Sequence, residues 1–141
     1  MGARHRLPSD VVTAHLEPGA LPELVTLLGA CSDGPPTVVL VDDADVLDDH
    51  GGVLAGLLAA PRSDLIVVAA GRNDGLRGQY GTWLRRVRMS RAGLLLQPDV
   101  EADGDLLGVR LPRRPLVVMR PGRGYLVESG SVEVVQVAMS S

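Results

Sequence analysis

Three short, uninterrupted aliphatic runs constrain this chain more than anything else in it: TVVLV (37–41), LIVVAA (65–70) and GLLLQ (93–97). A strand that is apolar at every position, rather than at every second one, is the type expected where both faces of a sheet are covered. Between the runs lie stretches with leucines at helical spacing. PGALPELVTLLGAC (18–31) places Leu21, Leu24, Val25, Leu27 and Leu28 on one side of a helix,. VLDDHGGVLAGLLAA (46–60) does the same through Val53, Leu54, Leu57 and Leu58 and stops at Pro61,. DGLRGQYGTWLRRVRMSR (74–91) reads as a short turn and then a helix from about Tyr80. Strand, helix, strand, helix, strand is the pattern of a parallel sheet with covering helices. GRGYLVESGSVEVVQVA (122–138) reads as a hairpin around ESGS that adds an antiparallel edge,. VVTAHL (11–16) has the composition of a further short strand, DLLG (105–108) of one helical turn, and residues 1–10 read as a flexible lead-in.

The 141 residues suffice for one domain with a core of its own,. That core must be aliphatic, because Phe is absent and Tyr80, Trp83 and Tyr125 are the only aromatics. A stacking platform for single-stranded nucleic acid is thereby disfavoured. The net charge of -3 gives no general attraction for polyanions,. Cys31 alone cannot form an internal disulfide, and His5, His15 and His50 are too scattered for a metal cluster,. With no apolar run of membrane-spanning length and no apolar signal core, the expected location is the cytoplasm, without direct membrane insertion,.

The chemistry concentrates where TVVLV runs into Asp42 and Asp43. In open α/β sheets ligands bind at the carboxyl ends of strands. Magnesium keeps several waters and is anchored there by one or two carboxylates, while a neighbouring acid polarises an attacking water. Asp42 suits the first role and Asp43 the second. The competing reading is that Asp43 or Asp45 caps the following helix. A phosphate loop of the form GxxxxGK[ST] is missing, and a chain without lysine cannot supply one,.

Four segments taken together, VVLVDDAD, LIVVAAGR, GLLLQPDVEADGDLLGVRLPRR and PGRGYLVESGSVEVVQVA, resemble the FtsK/SpoIIIE ATPase family. The likeness is to the C-terminal ATPase modules of actinobacterial members, including the EccC ATPases of type VII secretion, and covers roughly residues 35 to 138. It implies a partial RecA-like, P-loop NTPase-type α/β fold, mainly parallel, with a C-terminal hairpin, occupying residues 1–141 as a single domain. By position it implies that Asp42 is the Walker B magnesium acid, that Asp43 and Arg72 are catalytic, and that Arg123 lies near the nucleotide or a subunit boundary. Asp43 falls where active members often carry Glu, which points to a degenerate or regulatory module. ATP and Mg2+ are the implied cofactors, although the chain alone is expected to bind neither tightly and to be inactive. The implied partners are the rest of a multidomain ATPase, tethered to the membrane or free, neighbouring subunits of a ring, and DNA or secreted protein as cargo. A protein-interaction module of a type VII secretion-like complex and a fragment of a DNA translocase are the alternatives. The family's phosphate-loop strand runs between the equivalents of LIVVAA and GLLLQ. In its absence those two strands are expected to close directly on each other, or through a second copy of the chain.

The remaining features carry a plainer reading. Arg85, Arg86, Arg88 and Arg91 are either a phosphate grip or a solvated helix face, and Trp83 is core or an interface anchor. Gly122 and Gly124 serve tight backbone geometry. Asp99, Asp103 and Asp105 lack the fixed glycine spacing and the bidentate Glu of a calcium loop.

Overall fold

The structure is a computed structural model that describes residues 14–30, 35–60, 62–79, 82–114 and 117–138. The fold is mixed α/β with two sheets. The first is the parallel pair β1 (Thr37–Val41) and β2 (Leu65–Ala69), in register from Thr37↔Leu65 to Val41↔Ala69. The second is antiparallel, β3 (Gly93–Leu96), β4 (Arg123–Glu128) and β5 (Ser131–Gln136), in the order β3-β4-β5. Four helices accompany them: α1 (Leu21–Ala30), α2 (Val53–Ala59), α3 (Asn73–Arg77) and α4 (Leu84–Met89). A 3-10 turn, Asp103–Leu106, stands at the helical turn read near 105–108. The suggested strand at 11–16 lies outside the described residues except for Ala14, His15 and Leu16, which are not in a strand.

Each sheet has its own core. Leu24, Leu28, Ala44, Leu54, Trp83 and Leu84 are buried beneath the parallel pair, so Trp83 is a core residue. Leu95, Leu106, Leu107, Leu111, Tyr125 and Val127 are buried beneath the antiparallel sheet. Leu76 of α3 packs against both.

Three expectations need correction. The helix read over 46–60 begins only at Val53, because Gly51 and Gly52 take left-handed φ values of 82° and 68° and hold the preceding chain as a loop,. The three apolar runs do not share one parallel sheet, and β3 does not close on β2. It pairs antiparallel with β4 instead, from Gly93↔Val127 to Leu96↔Gly124. Gly124 permits this, since a Cβ there would collide with the Leu95 carbonyl,. Finally, the described residues cover the parallel pair on one face only. Val39, Val41, Leu65, Val67 and Ala69 face the core, whereas Val38, Leu40, Ile66 and Val68 remain 52%, 55%, 52% and 47% exposed.

Candidate functional site

The parallel pair places Asp42 and Asp43 at the carboxyl end of β1 and Arg72 just beyond the carboxyl end of β2. Backbone hydrogen bonds continue the pairing past the strands. The Ala70 amide donates to the Val41 carbonyl and the Ala44 amide to the Ala70 carbonyl, each at 2.8 Å. Ala44 is completely buried, so the chain must turn sharply to keep Asp42 and Asp43 outside. That turn puts Asp43 at φ 49°, a conformation Asp tolerates better than most residues,. The Asp42 carboxylate accepts the Asp43 amide at 2.9 Å through Oδ1, and both side chains are solvent-exposed.

Neither Asp43 nor Asp45 caps the next helix. Asp49 does so, accepting the Leu54 amide at 3.0 Å and the Ala55 amide at 2.9 Å. The signal was an Asp just ahead of the apolar helical period. Asp45 instead pins the acid-bearing turn to the segment after β2. Its Oδ1 accepts the Arg72 amide at 3.1 Å, and its carbonyl accepts Gln79 Nε2 at 3.0 Å. The carboxylate is lodged against Gly71 and Gly75. A Cβ on Gly71 would come to 2.7 Å from Asp45 Oδ1, and one on Gly75 would overlap the carboxylate. The two glycines bracketing Arg72 were the legible hint of this close approach.

The Arg72 guanidinium does not reach the acid pair by any hydrogen bond. It forms a two-pronged pair with Asp74, Nε to Oδ1 at 3.2 Å and Nη2 to Oδ2 at 2.6 Å. The hydrogen bonds from Arg72, then the Gly75 amide, hold Asp74 below the ordinary carboxylate range, and the same pair raises Arg72. Both side chains are well exposed, so the pair orients the guanidinium without fixing it firmly,.

Arg123 stands apart. It opens β4 in the other sheet, donates Nη1 to the Val118 carbonyl at 3.0 Å and Nε to Gln136 Oε1 at 3.3 Å. No hydrogen bond or ion pair among the described residues connects it with Asp42, Asp43 or Arg72. Gly122, at φ 77°, makes the turn into β4, where a Cβ would meet Gln136 Nε2 at 2.8 Å.

Beside the turn lies an open cavity of about 620 Å³ lined by Val46, Leu47, Asp48, Asp49, Trp83 and Arg86, among others. Three members of the basic run bond backbone carbonyls: Arg86 Nη1 to Ala59 at 3.5 Å, Arg88 Nε to Leu106 at 3.4 Å and Arg91 Nη2 to Gly108 at 2.7 Å. Arg85, Arg86 and Arg91 are exposed and Arg88 is half-buried. Among the described residues no three His, Cys, Asp or Glu side chains form a metal cage, and no helix is long and apolar enough to cross a membrane.

Comparison with known proteins supplies no relative: no family model, no curated protein and no solved structure matches the chain.

Proposed function

We propose that this chain is the C-terminal part of an ATPase module of an FtsK/SpoIIIE-type motor, degenerate or regulatory, with the acidic strand but without the phosphate loop. The observation that carries the reading is the juxtaposition of Asp42 and Asp43 with Arg72 at the carboxyl ends of two parallel, hydrogen-bonded strands. Phosphoryl transfer needs acids and a cation at that edge, positioned before substrate arrives. Asp42 would hold Mg2+ through water, since only its Oδ1 is engaged, by the Asp43 amide,. Asp43 would face the attacking water. Arg72 would answer charge on the transferred phosphate once it leaves Asp74. In this reading the fold is a partial RecA-like one, and β2 and β3 are separate because a phosphate-loop strand from the rest of the protein runs between them. That remainder, neighbouring subunits of a ring, and DNA or secreted protein as cargo are then the partners, in the cytoplasm.

A second reading, a protein-interaction module without nucleotide chemistry, draws support from the exposed apolar faces of both sheets. These are Val38, Leu40, Ile66 and Val68 on one, and Leu94, Leu96 and Leu126 on the other. The DNA-translocase alternative would rest on the exposed Arg85, Arg86 and Arg91 of the basic run.

The test is ATP hydrolysis. The chain alone stays at background, because nothing in it wraps the β- and γ-phosphates. Joined to a GxxxxGK[ST] segment from the longer protein, it hydrolyses ATP or binds it with Mg2+, and Asp42→Asn removes that gain. Hydrolysis by the isolated chain that Asp42→Asn abolishes would overturn the proposal. So would a longer protein without such a loop within about a hundred residues on the amino-terminal side.

A further inference from the structure

The two sheets, each with its own core, share little besides Leu76 and a few polar contacts, and those contacts are unevenly placed. Near the amino end of β3, where the chain passes from one half to the other, Arg88 and Arg91 bond to the Leu106 and Gly108 carbonyls. Beyond the carboxyl ends of β2 and β3 a single carboxylate gathers the chain. Asp103 Oδ2 accepts Asn73 Nδ2 at 2.7 Å from the segment that follows β2. It also accepts the Asp99 amide at 2.8 Å from the segment that follows β3. Its other oxygen, Oδ1, faces Arg77 Nη1 of α3 at 3.4 Å. Asp103 is 3% exposed, and Oδ1 is buried without a hydrogen bond.

A buried carboxylate oxygen without a donor is costly, and the nearest donor belongs to a guanidinium that is partly in solvent,. We propose that Asp103 is a latch between the two halves of the molecule, with Arg77 as its movable arm and the Arg88–Arg91 connection as the hinge. With Arg77 turned inward the carboxyl ends of β2 and β3 are held together. With it turned outward, only Asn73 and the packing of Leu76 hold them, and the halves open about the hinge. Because Asn73 directly follows Arg72, the latch also sets where the carboxyl edge of the parallel pair lies relative to β3. The inference rests on these contacts alone and stands whether or not the ATPase reading does.

Double electron–electron resonance on the full chain tests it. Labels at Ser63→Cys and Ser131→Cys, in a Cys31→Ser background, report on the parallel and the antiparallel half. The parent gives one narrow distance distribution. Asp103→Ala adds or broadens a second population, with its weight raised about tenfold, as expected for losing a hydrogen bond to a charged group. Arg77→Gln gives the same change to a smaller degree. An unchanged distribution in an Asp103→Ala protein of native circular dichroism overturns the latch. Should Asp103→Ala fail to fold, the Asn73→Ala, Arg77→Gln double variant decides in its place: a broadened distribution supports the latch and the parental one overturns it.

Discussion

The parallel pair is built from more aliphatic strands than the antiparallel sheet, yet it is the less completed of the two. In the antiparallel sheet β4 is paired on both sides, and Tyr125 and Val127 on its inner face are almost wholly buried. The β4–β5 half of that sheet is a hairpin closed by Ser129 and Gly130, both with positive φ, so its register follows from a local turn,. Among the described residues neither strand of the parallel pair is paired on both sides, and its outer apolar face is exposed, as is that of the antiparallel sheet. Parallel strands need a crossover and ordinarily gain cover on both faces from it. Here the described residues provide α1, α2 and α4, all on one side. The half that carries the candidate site is therefore the half without a central strand among the described residues.

Leu54→Ala tests that comparison most severely. Leu54 is 1% exposed at the centre of the core beneath the parallel pair, so its truncation costs about 2–5 kcal/mol,. Amide exchange should accelerate in β1 and β2 more than in β4 and β5. Equal acceleration in both sheets would mean that the two halves unfold as one unit. Asp49→Ala comes next, because it removes both cap bonds of α2 and should lower stability to urea by about 0.5–2 kcal/mol,. Asp45→Ala, by contrast, should leave α2 intact and loosen the Arg72 amide, which hydrogen exchange reads directly. A smaller effect is expected of Leu40→Gln and Ile66→Gln. If their face is solvated in the isolated chain, each changes stability by no more than about 0.5 kcal/mol. A much larger loss in dilute solution would show the face already covered.

The smallest effect concerns acid. Asp74 is held below its ordinary range in the folded chain by Arg72, so its contribution is present at neutral pH,. It is lost as pH falls through the depressed folded value. Asp74→Asn should lower stability slightly at neutral pH and leave it unchanged at the acid end, erasing that part of the acid dependence, as a set of urea midpoints from neutral to acidic pH would record.

What was legible beforehand follows the reach of the physics involved. TVVLV, LIVVAA and GLLL announce themselves as strands because short aliphatic runs between glycines and prolines have few other uses. The hairpin was legible from ESGS, and α1 from its leucine spacing. Which neighbour β3 takes was not legible, since GLLL fits beside a parallel or an antiparallel partner equally well. Gly124 decides it through one close backbone approach across almost thirty residues of sequence. The acids at 42 and 43 were legible as the end of a strand, whereas Asp45 and Asp103 act through partners distant in sequence. Nothing local separates them from the other aspartates around them.

The left-handed backbone at Asp43 also bears on which letters this position can carry. Glycine meets that conformation without penalty, and Asn and Asp come next because a short polar side chain finds a bond to nearby backbone. A longer or branched acid or aliphatic loses that compensation. A deep mutational scan of position 43, read out by folding alone, should return Gly, Asn and Asp ahead of Glu, with Val and Ile last. The backbone then narrows the alphabet before any chemistry is asked of the side chain. A shorter acid at this turn is in that case a product of geometry, and not by itself the mark of a lost activity.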